Sequence, residues 1–175
     1  MSDENSTSRL TTFTEGKVLV MERIFNAPRD LVFKAYSESE LLESWWGPKG
    51  WKTKNSQFEF KPEGIWHYCM TCIDENQGEF YGQESWGKAI YHEIVVPEKI
   101  VYTDMFADEK GNAVAGMPEL LITMIFTEDG DKTKLIARSE FATLETLQQV
   151  LDMGVVQGTS SQYDRLEELL DQGDF

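Results

Sequence analysis

Cys69 and Cys72 stand three residues apart, the spacing at which two thiolates share a metal ion or form a redox pair. They fall in Ile65–Ile73, an apolar run that reads as a strand, and residues three apart on a strand point to opposite faces. The only other soft ligands are His67 and His92, so a closed zinc site lacks a second ligand pair and no metal is expected. Neither a G-x-S-x-G nucleophile elbow nor a G-x-x-x-x-G-K-S/T phosphate loop occurs. No catalytic residue is therefore assigned and no cofactor is expected. Tyr68, His67, Glu93, Asp104, Arg138 and Gln157 remain as polar groups able to project into an interior, where a single acid or base would suffice for an enzyme that mainly positions a reactive guest. Alternation along the strands turns His67 and Arg138 outward.

The elements that must carry these groups can be read from periodicity. Lys17–Phe25 alternates as a strand. Pro28 then suits a first helical turn, and Leu31, Val32 and Ala35 follow on one side of a short helix. Ser37 and Glu40 form an S-x-x-E capping pattern for a second short helix bearing Leu41, Leu42, Trp45 and Trp46, which Gly47-Pro48 stops. Runs rich in β-branched and aromatic residues follow at Thr53–Phe60, Ile65–Ile73, Phe80–Val96, Lys99–Ala107, Leu120–Thr127 and Lys132–Phe141. The segments between them carry turn chemistry, as in Pro62-Glu63-Gly64 and Glu128-Asp129-Gly130-Asp131, which predicts an antiparallel meander. From the Thr143 cap to Leu170, Leu144, Leu147, Leu151, Val155, Leu166 and Leu169 recur at helical spacing and predict one long amphipathic helix. Residues 1–14 are polar and aperiodic and read as a disordered arm, leaving one domain over residues 15–172.

Composition excludes several functions. The chain has 175 residues with 16 basic and 31 acidic side chains, a net charge of −15, which repels phosphate backbones and anionic lipid surfaces, so no nucleic-acid partner is expected. The longest apolar run, Leu120 to Phe126, is far short of a membrane span, and the N-terminus is polar, so neither membrane insertion nor export from the cytoplasm is expected. Gly154 and Gly158 have the G-x-x-x-G spacing of membrane-helix dimers, but Asp152, Gln157 and Ser160 place them on a soluble helix.

The order of elements resembles the helix-grip, START-like (SRPBCC) superfamily, and the local words resemble its branch related to the activator of the heat-shock-chaperone ATPase. Those words are FNAPRDLVFKAYSESELLESWWGP, KPEGIWHYCM, GKAIYHEIVVPEKIVYTDMFADEKGN and GVVQGTSSQYDRLEELL, which span Phe25 to Leu170. Two positions depart from the pattern: Glu63-Gly64 stands where a Gly-Gly pair is usual, and Thr159 stands where a tryptophan is usual after the second helix glycine. The resemblance implies an α+β fold in which a curved antiparallel sheet of about six to seven strands, with two short helices, grips a long C-terminal helix.

Such a fold leaves a space between sheet and helix, packed or hollow according to side-chain size. Alternation puts Phe58 with Phe60, Trp66 with Tyr68 and Met70, Tyr102 with Phe106, and Ile122 with Met124 and Phe126 on the inner face. Trp46 from the second helix, and Leu151, Gly154, Val155 and Gly158 from the last, complete the expected lining. The two glycines either let the helix approach the sheet or widen a chamber. Trp45, Trp46 and Trp51 are expected near the surface, as a lip of that chamber, a subunit contact or a folded turn.

Three readings follow. The first is a cytoplasmic binding protein, monomer or weak dimer, that senses, sequesters or delivers an aromatic, polyketide-like or lipid-like molecule, with stress response among its roles. The second is a co-chaperone-like module with a chaperone partner. The third is a cyclase-like or hydrolase-like enzyme using the same cavity.

Overall fold

The computed structural model describes residues 10–173. Among these residues the chain forms eight strands and four α-helices, in the order β1 (Thr11–Glu15), β2 (Val18–Phe25), α1 (Arg29–Ser37), α2 (Ser39–Trp45), β3 (Trp51–Phe58), β4 (Ile65–Cys72), β5 (Glu84–Val95), β6 (Lys99–Phe106), β7 (Glu119–Asp129), β8 (Lys132–Glu140), α3 (Leu144–Asp152) and α4 (Val155–Gln172). The strands make one antiparallel sheet ordered β1-β2-β8-β7-β6-β5-β4-β3. Register breaks between Asn55 and Gln57 on β3 and between Tyr91 and Glu93 on β5 are bulges, which bend a sheet and raise its twist. The helices lie on one face, and the fold is the helix-grip arrangement.

Four local expectations are corrected. The sheet has eight strands rather than six to seven, because Thr11–Glu15 pairs with Glu22–Val18 as an edge strand. All five of its residues are exposed, so the ladder alone forms it and no alternation announces it. Residues 11–14 of the arm expected over residues 1–14 therefore belong to a strand, and residues 1–9 lie outside the described residues. Ser37 does not cap α2. It ends α1, its hydroxyl donating to the Lys34 carbonyl at 3.3 Å, while Glu38 holds the cap position without a side-chain bond. The strand expected from Phe80 begins at Glu84, since Glu75–Phe80 coils into a 3-10 turn that brings Gly82 N–H back to the Cys72 carbonyl. The long C-terminal helix is two: Gly154 adopts φ +88°, ending α3 and starting α4, a conformation L side chains rarely adopt.

Packing explains why α4 holds its place. Leu166 and Leu170 are buried, each stabilising the fold by about 1.5–3 kcal/mol. Tyr163 meets Phe25 edge-on at 5.3 Å. Arg23 on β2, fully buried over the Phe25 ring, reaches Asp164 at 2.8 Å and Glu167 at 3.6 Å, a pairing required of a guanidinium removed from water. Trp45, expected near the surface, is buried among Tyr36 and Trp46, its indole N–H donating to the Ala35 carbonyl at 3.1 Å. A large ring at the last turn of a two-turn helix is pulled inward by the area it buries.

Candidate functional site

Two helices cover the inner face of the sheet unequally. Toward α1 the space is filled: Phe60 packs against Phe33, Phe58 and Tyr91, Trp66 against Phe58, and Phe126 against Phe33 and Tyr36. Under α4 it is hollow, with a cavity of about 290 Å³.

Of the residues expected to line a chamber, Tyr68 and Met70 of β4, Tyr102 and Phe106 of β6, Met124 of β7, Trp46, and Val155 and Gly158 of α4 do so. Phe58, Phe60, Trp66 and Phe126 have the expected face but belong to the filled half. Leu151 and Gly154 do not line the cavity: Leu151, on α3, packs partly buried against the core, and Gly154 is the junction between the two helices. Gly158 faces open space: a Cβ built there meets nothing within 4 Å, so this glycine widens the chamber rather than admitting a close approach.

The lining also includes Asp104, one of the polar groups expected to be able to project into the interior, and, outside the expected set, notably Tyr36, Ser139, Thr159, Gln162 and Tyr163. Asp104 shares the alternation parity of Tyr102 and Phe106, the signal that could have placed it there. Thr159, at the position where the resemblance leads one to expect tryptophan, leaves room that an indole would occupy. Glu93 and Arg138 instead face outward, paired with Lys99 and Glu15 at 3.2 Å each. Gln157 is exposed. His67 lies on the outer face as expected, yet is buried: its ring packs 5.1 Å from Trp86, and Nε2 is 2.9 Å from the Asp108 carbonyl. Cys69 and Cys72 are free thiols.

Asp104 is the electrostatic centre of the chamber. The Tyr68 hydroxyl donates to its carboxylate at 3.3 Å, crossing β5 at Gly87, the direct partner of Tyr68, where any Cβ would collide with the Tyr68 ring. Asp104 is partly buried and lines the cavity. Burial pushes its carboxyl up to about 7, against the lowering effect of the Tyr68 hydroxyl and the Met105 amide. Burial also raises Tyr68 and Tyr102, and the Asp104 charge raises both further, so these phenols stay protonated donors. Tyr36 and Tyr163 face each other, and the Tyr36 hydroxyl closes no well-formed hydrogen bond among the described residues. Chemically, the arrangement offers an apolar wall, several phenol donors and one carboxyl able to take or give a proton near neutrality.

The mouth is held by α4. Gly47 N–H donates to the Gln162 side chain at 2.8 Å and Lys49 N–H to Ser161 Oγ at 2.9 Å. One terminal nitrogen of Arg165 lies 2.8–3.2 Å from the carbonyls of Trp46, Gly47, Pro48 and Trp51. The turn after α2 is thus a lip, with Trp46 and Pro48 facing the chamber. A wider cleft of about 620 Å³ between β2, β8 and the end of α4 is lined largely by charged side chains, among them Glu22, Arg23, Lys134 and Glu167. It lacks the apolar walls that hold a small molecule.

Comparison with known proteins places this geometry in a wider setting. The sequence profile of the family described as activator of Hsp90 ATPase homolog 1-like protein matches residues 26–171. A solution structure from Staphylococcus epidermidis is 32% identical, covering 94% of this chain and 96% of its own, with a TM-score of 0.79. A crystal structure from Mycobacterium smegmatis is 28% identical, covering 92% of this chain and 96% of its own, with a TM-score of 0.81. A solution structure from Arthrobacter aurescens, 23% identical with a TM-score of 0.83 over 93% of this chain and 91% of its own, shares the fold. No curated protein matches the chain.

Proposed function

The chain belongs to the family of activator of Hsp90 ATPase homolog 1-like proteins, and we propose that within it this member binds a compact hydrophobic small molecule in the chamber under α4, for sensing, sequestration or delivery. One observation carries the reading: Gly158 stands inside the first turns of α4 with empty space before it, although alanine there would favour the helix by about 1 kcal/mol. The cavity that this opens, about 290 Å³, lies at the lower end of the range of ligand pockets. A one- or two-ring aromatic guest fits that volume better than a long acyl chain or a tetracyclic polyketide. Three methionines, Met21, Met70 and Met124, supply an adaptable wall.

Native mass spectrometry of the purified protein, with thermal shifts against compact aromatics, fatty acids and larger polyphenols, tests the reading. Compact aromatics are expected to stabilise, by about 2.7 kcal/mol at a hundredfold excess over the dissociation constant, and Thr159→Trp to abolish the shift. A protein that emerges empty and responds to none of these compounds would sink it. The description of the matched family favours a second reading, a co-chaperone-like module. It requires the chaperone to be retained by the immobilised protein and its ATPase rate to rise, and absence of both would remove it.

A further inference from the structure

Among the described residues lining the chamber, Asp104 is the one carboxyl, and no lysine, arginine or histidine faces it. Tyr68 from β4, Tyr91 from β5 and Tyr102 on its own strand feel its charge directly, and Tyr36 from α1 and Tyr163 from α4 line the same chamber; all are phenols. An enclosed carboxylate whose neighbours include no cation is left uncompensated, a costly state that a bound counter-charge relieves. The rings around it, Trp46, Tyr68, Tyr102 and Phe106, offer the negative faces that attract cations. A carboxylate or phosphate guest would meet Asp104 with like charge and find no basic partner. From this lining we infer that the chamber selects a compact hydrophobic amine, whose ammonium pairs with Asp104 while its apolar body fills the space beneath Gly158.

The inference rests on the small-molecule reading above and adds the guest's chemical class. Because Asp104 takes up its proton near neutrality, pushed up to about 7 by burial, binding an ammonium forces that proton out. Amine affinity therefore rises with pH through that region and falls by about tenfold per unit well below it.

Three probes sharing one skeleton decide the matter: naphthylethylamine, naphthylethanol and naphthylacetic acid, titrated calorimetrically into the intact protein in buffers of differing ionisation enthalpy. At about pH 8 the amine is expected to bind at least about tenfold more tightly than the alcohol, and the acid more weakly than either. At about pH 6 amine binding is expected to release nearly one proton and alcohol binding none. Asp104→Asn should erase the amine's advantage while keeping alcohol affinity, and the proton count on unaltered protein stands even if that variant folds poorly. Equal binding of amine and alcohol, without proton release, overturns the amine assignment and leaves the small-molecule reading standing. If none of the three binds, the amine assignment falls, and the small-molecule reading falls with it if the wider panel above also leaves the protein unchanged.

Discussion

Asp104 carries a pH dependence of stability whose sign follows from its surroundings. Its carboxyl is raised from 3.8 to about 7 in the fold, so the folded chain holds that proton more tightly than the unfolded chain does. The contribution is complete below about pH 4 and is lost as pH rises toward 7. Asp104→Asn keeps the shape without the ionisation, and urea titration is expected to find it more stable than the parent by about 1–3 kcal/mol near pH 8 and little changed near pH 4. The same difference at both values would show that the carboxyl is not held protonated. Glu63 offers a second test. It is a non-glycine residue at φ +69°, which costs an L side chain about 1–2 kcal/mol, while its amide donates to the Tyr91 carbonyl at 2.7 Å. The resemblance leads one to expect glycine there, and the backbone gives the reason. Glu63→Gly is expected to stabilise by about 0.5–1 kcal/mol after the added freedom of the unfolded chain is counted, measured by denaturant midpoint. Asp104 itself was legible, since it alternates with Tyr102 and Phe106. Its partnership with Tyr68 was not, because it depends on the missing Cβ of Gly87, one strand away.

At the scale of elements, the lip and α4 behave as one unit. Arg165 gathers three carbonyls of the turn after α2 and that of Trp51 at the start of β3, and burial lowers its guanidinium below the usual range. Arg165→Met would leave those carbonyls to water and free the turn. Hydrogen exchange is expected to speed up over residues 46–53, with exchange in β7 and β8 unchanged; unaltered protection at the lip would deny Arg165 its anchoring role. The order of strands and helices was readable, because turn residues punctuate every hairpin. The break between α3 and α4 was hidden by leucine periodicity running through Gly154, while β1 had no apolar face to announce it. Phe58, Phe60 and Phe126 show a further limit of pattern. Alternation assigns a face of the sheet, but which helix covers each part of that face is a tertiary outcome.

For the whole molecule, a net charge of −15 sets up self-repulsion that salt screens over about 10 Å at 0.1 M. The midpoint of thermal unfolding is expected to rise between low and moderate sodium chloride. A flat response would mean that the acidic side chains lie too far apart to repel. No helix among the described residues is long and apolar enough to cross a membrane.

Gly158 and Thr159 adjoin on the first turns of α4, with no part in the sheet ladder and none in the Arg165 anchor. A methyl added at the first shrinks the chamber by one carbon's volume and, by helix preference, firms the helix that carries it. A larger side chain at the second closes the chamber further. Lineages can therefore drift in what they accommodate, one substitution at a time, with selection for stability always pushing toward the smaller hole. With glycine at this position the chain has the roomier chamber, and alanine would be the sturdier choice.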